Sequence, residues 1–141
     1  MGDTTTNADA VMAIYECFGR GDVPGILEHI DPDVEWDRWD EGNSLQDAGF
    51  PLVQHRKGHD GVTAFLAAIP QTIDIQVFEL RSVMSDGDTV AARLRVRAVH
   101  LGTGRTVEDD EWHIWTFGPD GRVVEFRHLL DTGKQLAAWR D

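Results

Sequence analysis

Residues 89–130, TVAARLRVRAVHLGTGRTVEDDEWHIWTFGPDGRVVEFRHLL, decide the fold class. Apolar and polar residues alternate through most of this stretch, the period of a strand with one buried face. Leu101-Gly102-Thr103-Gly104 and Pro119-Asp120-Gly121 break the alternation with residues that turn the chain. The pattern predicts three strands, Thr89–His100, Thr106–Phe117 and Arg122–Leu130, joined as an antiparallel meander. Upstream, Ile73–Met84 has the same period and enters Thr89 through Ser85-Asp86-Gly87-Asp88, which adds a fourth strand.

Before Ile73 the period changes to that of a helix. From Ala8 to about Gly19, Val11, Ile14, Tyr15 and Phe18 fall at i, i+3, i+4 and i+7, and Gly19 and Gly21 stop the helix. A second helix, Val23–Ile30, begins with Pro24 in its first turn and ends at Asp31-Pro32, after which Val34-Glu35-Trp36 starts a short strand. Asp60 is placed to cap a third helix with the stripe Val62, Phe65, Leu66 and Ile69, closed by Pro70. Thr132 can cap a short last helix ending in Leu136, Ala137 and Trp139. Residues 37–57 keep no period, and an irregular stretch of that length suits a lid or a pocket rim. Helices first and a meander second predict an α+β chain, with residues 1–7 a polar tail and 8–141 one domain.

The chain has 141 residues and is 41% hydrophobic, enough for a core. Five Trp and six Phe suit both a core and the lining of a small-molecule cavity. The formal net charge of −12 excludes a protein built to grip nucleic acid or an anionic membrane surface, because both need clustered Lys and Arg. One cysteine, Cys17, cannot form an internal disulfide, and its apolar helical setting reads as core. No apolar stretch has the length of a membrane span, and the first residues lack the basic and apolar regions of a signal peptide, so a cytoplasmic protein is expected. Gly2 fits the myristoylation pattern, but one acyl chain without a basic patch anchors weakly.

Four short segments, in order, carry a resemblance: "GD" at 21–22 after the first helix, "DPDVEW" at 31–36, "KGHDGV" at 57–62 and "DGRVVEFRHLLD" at 120–131. Together they resemble the SnoaL-like branch of the nuclear transport factor 2-like superfamily over about residues 8–140. The resemblance implies a cone-shaped curved antiparallel sheet wrapped by about three N-terminal helices, with a short C-terminal helix. It also implies a cavity for a small hydrophobic ligand, pairing as a homodimer through the sheet face, and no cofactor. Relatives include ketosteroid isomerase, limonene epoxide hydrolase, scytalone dehydratase and polyketide cyclases, so chemistry must be argued from the site.

Glu111, His113, Trp115 and Phe117 share one strand face. The resemblance sets that face inward, with His113 where isomerase relatives place the acid of their oxyanion hole. A histidine there can donate to an enolate or act as general acid or base. His128 and Phe126 share a face of the last strand and would line the same space. Asp131 matches the closing aspartate of the epoxide hydrolase ending, yet it stands equally well as a cap for the final helix. Arg93 matches that family's arginine, but Arg95 replaces its aspartate, which argues against epoxide hydrolysis. The row Arg93, Arg95, Arg97 either pairs with Asp110 or Glu111 on the next strand or, through Arg95, holds an anionic substrate group. The isomerase base falls at Trp36, which cannot take a proton and reads as pocket wall. Asp37 and Glu35 beside it serve only if one swings in. His55 suits the pocket rim, and His29 and His100 read as surface residues. His55 and His59, four apart across Gly58, do not make a helical metal pair, and no metal site is expected.

These residues point to a cofactor-free acid/base enzyme, a cyclase, isomerase or dehydratase, acting on a hydrophobic carbonyl-bearing or cyclic metabolite. His113 would carry the proton, supported by His128 and Asp131, with Trp36, Trp115 and Phe126 as walls. The alternatives are a non-catalytic ligand-binding domain and a dimeric scaffold whose cone is filled by its own tryptophans.

Overall fold

Six strands form one open, curved sheet in the order β2-β1-β6-β5-β4-β3, in a computed structural model that describes residues 6–140. The elements are α1 (Asn7–Arg20), α2 (Val23–Leu27), β1 (Ile30–Trp36), α3 (Ser44–Asp47), β2 (Arg56–Lys57), α4 (Gly58–Thr72), β3 (Ile73–Asp86), β4 (Thr89–His100), β5 (Thr106–Phe117), β6 (Val123–Leu129) and α5 (Thr132–Trp139). The β3-β4-β5-β6 meander is antiparallel, whereas β1 runs parallel to β6. Register shifts in β3, between Ile75 and Val77 and between Leu80 and Ser82, insert extra residues against β4. Such bulges bend a strand and help the sheet curl.

Local chemistry explains the element ends. Thr6 caps α1 by accepting from the Asp9 amide while Asp9 accepts from the Thr6 amide, so the helix begins inside the stretch expected as a tail. The Gly2 pattern and the first five tail residues lie outside the described residues. At its other end Gly21 takes the left-handed conformation, φ 69°, and its amide reaches back to the Phe18 carbonyl. The second helix stops at Leu27 rather than Ile30. Pro32 disfavours helical backbone just before it, and Ile30 instead pairs with Val123 in the sheet.

Two other expectations are corrected. Asp60 lies in the first turn of α4 but does not cap it; the N-cap is Lys57, with no side-chain bond. Gly58 makes the abrupt entry, at φ 71°, where a Cβ would sit 3.0 Å from the Pro32 carbonyl oxygen. Pro70 lies inside α4 and does not close it. Beyond it the last turn is completed by Thr72 Oγ1 donating to the Ala68 carbonyl at 2.8 Å and by the Ile73 amide donating to that of Ile69.

The 37–57 stretch is more ordered than its lack of period suggests. Asn43 caps α3 through bonds from the Leu45 and Gln46 amides, and Leu45, Phe50, Leu52 and Val53 are buried against α4 and α5. A larger core joins α1 and β1 to the Trp115–Phe117 end of β5. Among the described residues no helix is long and apolar enough to cross a membrane.

Candidate active site

Inside the curl is a cavity of about 100 Å³. Apolar residues from α1, α4 and the sheet form most of its wall, including Ile14, Phe18, Trp36, Phe65, Trp115 and Phe126. Trp36 stacks on Phe126 with ring centroids 4.0 Å apart, and Trp115 lies 4.5 Å from Phe126. Strand alternation supplies the polar part. The inward stripe of β5 is Asp109, Glu111, His113 and Trp115, all buried, and β6 adds His128 opposite His113. The two imidazoles stand perpendicular with centroids 5.9 Å apart.

Asp37 completes the site through an exception to alternation. It follows Trp36 directly and should face the other way, yet both are buried and Asp37 is wholly enclosed. Its φ is 54°, a left-handed backbone that aspartate tolerates better than most residues. That twist carries the carboxylate inward. Oδ1 accepts from the His128 amide at 3.1 Å and from Trp39 Nε1 at 3.3 Å. Oδ2 lies 2.8 Å from His128 Nδ1, a close charge contact off the hydrogen-bond axis. Gln46 Nε2 donates to the Asp37 carbonyl, tying α3 to this turn. His128 Nε2 has no partner among the described residues.

His113 sits in a directed chain. Trp115 Nε1–H can only donate, and it meets the Tyr15 oxygen at 3.1 Å. Tyr15 then donates its own proton to His113 Nδ1 at 2.7 Å, which leaves Nε2–H facing Glu111 Oε1 at 3.3 Å. Burial holds the Tyr15 phenol well above its ordinary range, so it stays a donor. Burial also lowers the His113 pKa, and Glu111 only partly offsets it. For His128 burial is again the largest single effect and pulls the pKa down. The Asp37 carboxylate, helped by Glu111 and Asp109, outweighs it, and the net shift is upward. One imidazole is thus made harder to charge and its neighbour easier.

These opposed shifts predict a stability maximum near the ordinary histidine pKa of about 6.5. Above it, folded His128 holds a proton that the unfolded chain has released, so stability falls as pH rises through its raised pKa. Below it the unfolded chain protonates His113 before the folded one does, so stability falls as pH drops toward its lowered pKa. Melting temperatures measured from pH 5 to 8.5 check this. Asp37→Asn should remove the fall on the alkaline side.

Of the residues singled out in the sequence, the structure brings together His113, His128, Asp37, Trp36, Trp115 and Phe126. Three lie elsewhere. Asp131 is exposed and caps α5, accepting from the Lys134 amide at 3.0 Å. Thr132, offered as that cap, is the helix's first residue. Arg95 is on the outer sheet face, 3.3 Å from Glu108, and Arg93 makes a two-pronged contact with Asp110. His55 is exposed and paired with Glu35. His100, expected at the surface, is 1% exposed and bonded to Gln135, whose amide nitrogen donates to Asp109 at 2.8 Å. Tyr15, Glu111, Asp109 and Gln135 were not singled out. The alternation of β5 already sets Glu111 and Asp109 on the His113 face, whereas Tyr15 reads only as one more position in a helical stripe. Among the described residues no cluster could hold a metal ion.

The fold is shared with solved nuclear transport factor 2-like structures. One, of unknown function from Burkholderia pseudomallei, is 28% identical and superposes with a TM-score of 0.79, covering 96% of this chain and 99% of the other. TerC, co-crystallised with polyporic acid, is also 28% identical, with a TM-score of 0.78 over 96% of this chain and 98% of its own. A Burkholderia thailandensis protein at 24% identity and a TM-score of 0.81, covering 98% and 100%, shares the fold. No curated protein matches. The SnoaL-like domain profile matches residues 11–126, and the chain belongs to that family.

Proposed function

We propose that the protein is a cofactor-free acid/base enzyme that enolises a small, hydrophobic, carbonyl-bearing ligand held in this cavity. The observation that carries this is a pair of buried histidines, ring centroids 5.9 Å apart at one apolar wall, whose surroundings shift their pKa values in opposite directions. Environments that push neighbouring titratable groups apart are how one site holds an acid and a base at the same pH. His128, kept charged by Asp37, gives its free Nε2 proton to the carbonyl oxygen. The carbon–hydrogen bond beside the carbonyl breaks, its electron pair forms the enol double bond, and the Glu111–His113 pair takes the proton. Return of that proton to another carbon is isomerisation, and attack of the enol carbon within the same ligand is cyclisation. Asp131 has no part, and Asp37 takes the supporting place first given to it. The polyporic acid held by TerC supports a ligand role for the fold.

The test is deuterium exchange of cyclohexanone and cyclohex-3-enone in deuterated water, followed by NMR. Exchange faster with protein than with buffer of equal basicity is expected, along with conversion of cyclohex-3-enone to its conjugated isomer. Ligands that raise the melting temperature without exchanging would sink the enzyme and favour a binding domain. That second reading has its own support, since the cavity is small and its walls are stacked aromatics.

The same reading includes a homodimer through the outer sheet face, where Trp112 and Ile114 are half-buried and Leu129 is exposed. Sedimentation at twice 15.8 kDa is expected; a monomer at 100 µM would exclude it.

A further inference from the structure

Two carboxylates, Asp109 and Glu111, stand in the polar lining of the cavity beside Tyr15, His113, His128 and Gln135, and they narrow what can occupy it. Glu111 lies on the inward stripe of β5, 9% exposed. Oε1 faces His113 Nε2 at 3.3 Å, and Oε2 has no partner among the described residues. A buried carboxylate is costly unless its oxygens meet donors or a positive charge. Its protein partner is the His113 imidazole, which burial makes harder to charge. Asp109, the next inward residue on the strand, is satisfied by Gln135 and the Asp131 amide. Asp37 Oδ1 accepts from the His128 amide and from Trp39, and its Oδ2 lies beside the His128 imidazole. No Lys or Arg is among the described residues lining the cavity. The arginines that might have answered these charges stand on the opposite face of β4, where Arg93 and Arg95 are taken by Asp110 and Glu108.

Glu111 is thus short of one donor in a space whose one imidazole with a raised pKa, His128, already faces the Asp37 carboxylate. We infer that the cavity recognises ligands bearing a hydroxyl or protonated amine, held by the free oxygen of Glu111, and rejects carboxylates. A donor on the ligand completes the buried carboxylate, whereas a second carboxylate adds a like charge in a desolvated site. Substrates of this class are phenols, enols, alcohols or amines on an apolar ring. This runs against the reading of Arg95 as an anion holder. It rests on the cavity being the ligand site, but not on the proton transfers proposed above.

Three probes of matched shape test it: p-cresol, 4-methylbenzylamine, which is protonated at pH 7, and 4-methylbenzoate. Binding is followed through the indole N–H signals of Trp36 and Trp115 by NMR titration. In the wild-type protein the first two should bind at least about tenfold tighter than the benzoate. In Glu111→Gln the advantage of the amine over the benzoate should vanish, while p-cresol, which the amide oxygen still accepts, stays within about threefold. Benzoate binding as tightly as the others, no binding by any probe, or an unchanged amine-to-benzoate ratio in the variant would each overturn the inference. If Glu111→Gln does not fold, the wild-type ranking alone decides. The expected ranking without exchange of any bound ketone would sink the enzyme reading and leave this one standing.

Discussion

His128→Gln is expected to slow ketone exchange by about 10²–10⁴-fold, the usual worth of a positioned general acid, while ligand affinity changes by no more than about threefold. The separation matters because His128 touches both the cavity and Asp37, and a purely structural role would move affinity and melting temperature together. Asp37→Asn asks the same question more gently. The amide keeps an oxygen for the His128 amide and for Trp39, so the turn survives, but it withdraws the charge that opposes burial. The His128 pKa should then fall instead of rising, and the alkaline limb of the exchange profile should move to lower pH. If the two residues act as a unit, the double variant is no slower than His128→Gln alone. Effects that multiply instead would show that Asp37 acts through something other than His128.

The meander and its inward faces were legible because strand alternation is set by backbone geometry, not by neighbours. Once β5 is a strand, His113, Trp115, Glu111 and Asp109 must share a face. Asp37 was not legible in this way. Alternation assigns it outward, and only the left-handed turn after Trp36 reverses it. The family resemblance helped with the neighbourhood but pointed at Trp36 for the base. Asp131 shows the opposite failure: a motif match was outweighed by local capping, since a carboxylate just before a helix finds free amides close by. Pro70 was misread as a stop, although a proline inside a helix withholds only its own amide, here from the Leu66 carbonyl. The α3 turn was missed because its free amides are satisfied at short range by Asn43, which leaves no periodic trace. His100 was legible and was misread: alternation through Leu94, Val96 and Ala98 sets it on the inward face of β4. Only its partner, Gln135, 35 residues away on α5, needed tertiary knowledge.

Trp36→Ala is expected to cost about 3–5 kcal/mol, seen as a fall of roughly 10–20 °C in melting temperature for a domain of this size. Trp36 is 3% exposed and packs on Phe126, Phe65 and Trp115 at once, so no single neighbour can move in to fill the space. Trp36→Phe should cost much less, within about 1.5 kcal/mol. It keeps an aromatic face for Phe126 and removes an indole N–H that is buried with no partner among the described residues. The alanine variant also separates a ligand cavity from a cone filled by its own side chains. The wild-type cavity of about 100 Å³ leaves little room, and removing an indole joins new space to it. Indole added at about 100 times its dissociation constant should then restore about 2.7 kcal/mol, measured as a rise in melting temperature. The wild-type protein should gain little from indole, because Trp36 already occupies that volume, while gaining from smaller ring ketones. If indole stabilises both proteins equally, the wild-type cavity already opens to a bicyclic ring. If it stabilises neither, the walls have collapsed and the tryptophans are filling rather than framing the cone.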